Sequence, residues 1–136
     1  MFFVFVVARS QIDSSITHSR LTNAVNNIHL AGTVLTNSQY TYADVDTTDN
    51  YGATYSYSGN AGALFQSLIS SLQNKGYSIV HESPPEKRSL SDNNNYQVLA
   101  NSRLMSIYAS IGSSLNFNSC TLQDYLQGAC NGWMSQ

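Results

Sequence analysis

Apolar side chains recur at two different periods along this chain, and the changes of period mark out its elements. Between residues 61 and 75, Ala61, Leu64, Phe65, Leu68, Ile69 and Leu72 share one face of a 3.6-residue turn. Asn60 stands where a helix N-cap belongs and Lys75-Gly76 where a helix ends, so the spacing predicts an amphipathic helix from Ala61 to Lys75. A looser helical stripe of Ile12, Ile16, Leu21, Val25 and Ile28 runs through residues 10–31 and stops at Ala31-Gly32. Thr33 to Val45 and Tyr51 to Ser58 are rich in β-branched and aromatic residues and read as strands. The turn-forming Asp46-Thr47-Thr48-Asp49-Asn50 separates them. Tyr77 to Glu82 reads as a further strand.

Residues 96–111 carry both periods. Ala100, Leu104, Ile107, Tyr108 and Ile111 fit a helix, whereas Tyr96, Val98, Ile107 and Tyr108 favour strands. A hairpin turning at Asn101-Ser102 is the preferred reading. Ser119 or Thr121 then caps a short final helix carrying Leu122, Tyr125 and Leu126. The order strand, strand, helix, strand over residues 33–82 lays a helix across one face of a sheet. The expected fold is α+β: residues 1–136 as a single domain, an α/β sandwich whose antiparallel or mixed sheet carries its helices on one face. A chain of 136 residues is long enough to bury about two-thirds of its unfolded surface.

Composition narrows the function more than the fold. Hydrophobic residues make up 42% of the chain and permit a core, but charged residues make up only 10%. The usual share is about a quarter; here Ser, Thr and Asn fill the polar positions. A net charge of −2 argues against nucleic-acid binding, which needs clustered cations. No Asn-x-Ser/Thr acceptor for N-glycosylation occurs. Phe2 to Ala8 is an unbroken apolar run directly after Met1. It reads either as a truncated signal peptide or as a buried first strand.

Cys120 and Cys130 pair in an oxidising compartment, or else stay as buried thiols. Pairing constrains the backbone. A helix running the whole way between them would hold the ends ~15 Å apart, so the helix must stop near Gly128 and the chain double back.

Four tyrosines are candidates for carbohydrate binding. Tyr40 and Tyr42 are two residues apart, as are Tyr55 and Tyr57, so each pair projects to one side of its strand. A turn at Thr48-Asp49 sets Tyr42 opposite Tyr55 and Tyr40 opposite Tyr57. Four rings on one face either stack on sugars or form a floor beneath the helix of residues 61–75. Asp44, Asp46 and Asp49 crowd one turn but lack the spacing and closing glutamate of a calcium loop. His18, His29 and His81 have no metal-ligand spacing, and no nucleophile elbow, zinc-protease pair or phosphate loop occurs. No enzyme activity, cofactor or metal site is expected.

Lys87-Arg88, inside Ser83-Pro84-Pro85-Glu86-Lys87-Arg88-Ser89, is the sole pair of adjacent basic residues. In a polar, proline-bearing segment it reads as a processing site for a dibasic-specific secretory protease. The apolar run Phe2 to Ala8, Lys87-Arg88, the low charge and the tail with Cys120 and Cys130 together resemble budding-yeast killer toxins and their chromosomal relatives. The resemblance implies a secreted precursor cut by a Kex-type protease, a compact α/β sandwich, and non-catalytic action on cell-wall polysaccharide or a target membrane. In that setting the uncharged helix from Ala61 to Leu72 is the candidate membrane-active element. Two other readings stand beside it: a carbohydrate-binding cell-wall module, and a truncated remnant. One feature departs from disulfide-linked toxins. Both cysteines follow Lys87-Arg88, so no disulfide joins the two products of a cut there.

Overall fold

Buried side chains along the four inner strands of a six-stranded sheet give it one greasy face, and two helices cover it. The computed structural model describes residues 16–42, 49–83, 96–127 and 130. Within them the chain order is α1 (16–26), β1 (Thr33–Thr41), β2 (Asn50–Tyr57), α2 (Ala61–Asn74), β3 (Ser78–Ser83), β4 (Tyr96–Asn101), β5 (Met105–Ile111), β6 (Leu115–Thr121) and α3 (Leu122–Leu126). The sheet order is β1-β2-β6-β5-β4-β3, and every neighbouring pair is antiparallel. This is the expected α+β domain with an antiparallel sheet and helices on one face. β2 and β3 therefore run in the same direction, on either side of the β4-β5-β6 meander, and α2 carries the chain between them.

Local chemistry sets the ends of α2. The Asn60 side chain accepts a hydrogen bond from the Ala63 amide at 3.0 Å, satisfying one of the orphan donors of the first turn. At the other end Gly76 has φ 90°, a left-handed conformation that glycine adopts without penalty. Its amide donates to Gln73 and the Tyr77 amide to Leu72, which closes the last turn. Leu64, Phe65, Leu68 and Leu72 are buried against the sheet together with Leu21, Val25 and Ile28 from α1 and the loop after it. Opposite them lie Ala53, Phe117, Ala109 and Val98, one residue from each of four adjacent strands in register. Small residues at Ala53 and Ala109 flank the large Phe117 ring, an alternation that fills the layer without voids.

Four expectations from the sequence are resolved here. Residues 96–111 form the β4-β5 hairpin, and the Ser102 amide donates to the Met105 carbonyl at its turn. Of the helix expected over residues 10–31, the described part is 16–26; Ile28 still joins the core after the helix has ended. The pairing of β1 with β2 differs from the two-residue turn: Tyr40 faces Tyr51, Tyr55 faces Leu35 and Tyr57 faces Thr33. The connection occupies residues 42–49, and a bulge between Leu35 and Asn37 shifts the register again. Finally, residues 115–121, which carried no assignment, form the central strand β6. α3 begins after it at Leu122, with the Thr121 hydroxyl accepting from the Asp124 amide.

Candidate functional site

The face of the sheet turned away from α1 and α2 carries mostly neutral polar groups, with Leu99 buried among them. One row across all six strands reads Gln39, Gly52, Asn118, Tyr108, Leu99 and His81. The next reads Asn37, Thr54, Asn116, Ser110, Gln97 and Ser83. No Asp, Glu, Lys or Arg stands in either row. Each side chain is there because strand residues alternate: Asn116 and Asn118 face outward because Leu115, Phe117 and Ser119 face the helices. The surface is ordered by its own hydrogen bonds. Thr54 donates from its hydroxyl to the Asn116 side-chain oxygen at 2.8 Å, and the Asn116 amide donates to the Ser114 hydroxyl at 3.2 Å. Gly52 leaves a dip in this surface, since a Cβ there would come within 3.3 Å of the Asn118 amide oxygen. On the other side of Asn118 from that dip stands the half-buried Tyr108.

The four tyrosines do not form one exposed platform. Tyr40, Tyr55 and Tyr57 point to the helix side and pack against the core. Tyr55 meets Phe117 edge to face with centroids 5.7 Å apart, and the Tyr57 hydroxyl donates to the Gly112 carbonyl. The floor beneath the helices, rather than a sugar platform, is where these three rings lie. Tyr42 alone is well exposed, at 61%. It groups with Tyr40 and with His18 of α1, ring centroids lying 4.1 to 5.8 Å apart. The Tyr40 hydroxyl is buried beside the Asp49 carboxylate, whose charge and hydrogen bonding both act on it.

Burial raises the pKa of Tyr55, Tyr77 and Tyr108 above the ordinary 10.0, and burial with the Asp49 charge raises that of Tyr40 furthest. In Tyr77 the Ser102 side chain acts in the opposite direction. The folded state thus holds these phenolic protons more tightly than the unfolded chain. Their stabilising effect is complete below pH 10 and is lost as pH rises through the folded-state values. The melting temperature should be insensitive to these groups through neutral pH and fall above pH 10. Tyr40→Phe should blunt that fall; an alkaline melting profile identical to the parent's would refute this account.

Cys120 and Cys130 form a disulfide with Cα atoms 6.8 Å apart. α3 ends at Leu126 with Gln127 as its C-cap, so the chain doubles back as the pairing requires. Among the described residues no cluster of His, Cys, Asp or Glu could hold a metal ion, and no helix is long and apolar enough to cross a membrane. Lys87 and Arg88, the apolar run of residues 2–8, and Asp44 and Asp46 lie outside the described residues. The chain matches no protein-family profile, no curated protein and no solved structure.

Proposed function

We propose that this is a secreted, non-catalytic protein of killer-toxin-like layout that binds a neutral cell-wall polysaccharide across the sheet face opposite its helices. The observation that carries this reading is the two uncharged rows of amides and hydroxyls around Tyr108. A neutral polyol offers hydroxyls that donate and accept, and Asn, Gln, Ser and Thr do both. A charged lining would have to be desolvated with no counter-charge from such a ligand. The Tyr108 ring, next to Asn118, adds a stacking surface with a polar tip. The Cys120–Cys130 bridge accords with an oxidising compartment.

Processing after Arg88 fits the strand order. Residues 1–88 would hold β1, β2 and β3, and residues 89–136 would hold β4, β5 and β6. In the sheet the second set lies between β2 and β3 and pairs with both. Two products of a cut would stay clamped by backbone hydrogen bonds on both sides, with no linking disulfide needed. The alternative target, a membrane, is less well served. The apolar stripe of α2 is committed to the core through Leu64, Phe65, Leu68 and Leu72, so insertion would require the domain to open.

Co-sedimentation with insoluble glucan and mannan tests the binding reading. Tyr108→Ala combined with Asn118→Ala should weaken retention by about tenfold, the loss of one stacked ring and one hydrogen-bonding amide. Tyr42→Ala should leave it unchanged. Retention untouched by the double variant, or lost with Tyr42→Ala alone, would move the site away from this face.

A further inference from the structure

A cleft of about 590 Å³ opens at the end of the sheet where α1, the β4-β5 turn and α3 meet. Its most informative feature is charge. The described residues include three cations, Arg20, Lys75 and Arg103, and two of them line this one cleft. They come from distant elements, Arg20 from α1 and Arg103 from the β4-β5 turn. Among the described residues no carboxylate lines the cleft, and both arginine side chains are exposed. In a chain with so few charges, two guanidinium groups on one cavity give it a positive potential that favours a bound anion.

The remaining lining specifies the anion further. Thr121, Gln123 and Gln127 add hydroxyl and amide donors, while Leu104 and Leu126 form a greasy rim and are 51% and 71% exposed. We propose that this cleft binds a phosphate monoester that carries an apolar substituent. A phosphate monoester is close to a dianion at neutral pH and matches two guanidinium charges. Its several terminal oxygens also let two planar forks from different elements bind at once. A carboxylate offers one charge and two oxygens and satisfies one fork. The apolar substituent lies over Leu104 and Leu126, whose exposure to water it reduces. The volume lies within the range of small-ligand pockets.

The disulfide belongs to this site. Thr121, Leu122, Gln123, Leu126 and Gln127, the whole α3 side of the cleft, fall between Cys120 and Cys130. The bridge therefore closes the loop that forms one wall, and phosphate binding depends on oxidised cysteines. This site is separate from the polysaccharide face and does not rest on that reading.

Isothermal titration of the full chain with hexyl phosphate, hexanoate and inorganic phosphate tests the assignment, alongside flotation with phosphatidylcholine vesicles with or without phosphatidic acid. Hexyl phosphate is expected to bind more tightly than either of the other two. Arg20→Gln and Arg103→Gln should each weaken it about tenfold or more without changing the melting temperature, since both side chains are exposed. Leu126→Ser should weaken hexyl phosphate and leave inorganic phosphate alone, and reduction should weaken both. Vesicle binding that needs phosphatidic acid and both arginines identifies a lipid headgroup as the source, and hexyl phosphate binding without it identifies a free ester. Equal affinity for hexanoate, or hexyl phosphate binding indifferent to both arginine variants, overturns the proposal.

Discussion

Phe117→Ala is expected to destabilise the domain by about 3–5 kcal/mol, the range for removing a buried aromatic ring. Phe117 is 2% exposed, on the central strand β6. Its in-register neighbours on β2 and β5 are Ala53 and Ala109, which are too small to close the gap. The variant also loses the edge-to-face contact with Tyr55. Domains of this size are commonly stable by 5–15 kcal/mol, so the change removes a large share of the total. Urea titration followed by far-ultraviolet circular dichroism should show the midpoint falling steeply with the slope retained. A loss under ~1 kcal/mol would mean that Phe117 is not central to the core.

The same residue shows what the sequence disclosed and what it concealed. α2 was legible because five of its buried positions repeat at helical spacing and Asn60 and Gly76 punctuate it. β6 was not, although Leu115, Phe117 and Ser119 alternate, because Asn116 and Asn118 between them read as loop formers. Those asparagines are the outward face of the strand, and with Tyr108 they form the candidate binding surface. The signal was present as a period of two, diluted by polar residues of low strand propensity. The tyrosine pairs reveal a different limit. Spacing of two places Tyr55 and Tyr57 on a common side but does not say which side, and β2 turns that side to the helices. Only the position of β2 inside the sheet decides it.

Arg20 and Arg103 illustrate a third limit. They belong to different elements and to no motif, and either alone reads as an ordinary surface charge. They line one cleft because β6 and β5 are adjacent and bring α3 and the β4-β5 turn together; the Leu122 amide donates to the Leu104 carbonyl at 2.8 Å. The convergence of α1 on the same end follows from its packing, fixed in part by the buried Ser119 hydroxyl donating to the Leu21 carbonyl. Sheet order, which no local pattern in this chain specifies, is what assembles both candidate sites.

Removing the disulfide by Cys120→Ala with Cys130→Ala is expected to lower stability by about 3 kcal/mol in the chain-entropy model, given a sequence separation of 10. Both cysteines are buried, Cys120 completely, so alanine at these positions leaves small voids and no unsatisfied polar atom. The loss should be unevenly distributed. Leu21, Leu68 and Ile107 pack in the cluster between the helices and the sheet, and the bridge is not part of that cluster. Amide exchange should therefore accelerate first at Leu122 to Gln127, while the β5 amides keep protection close to the global value. Polysaccharide retention should survive in the folded fraction, because Tyr108 and Asn118 are positioned by the strand ladder. Hexyl phosphate binding should fall, because the α3 wall of its cleft is released. Uniform acceleration of exchange through β5 and β6 would show the bridge to be integral to the sheet rather than a clasp on its end. An unfolding free energy unchanged from the parent would show that it constrains nothing.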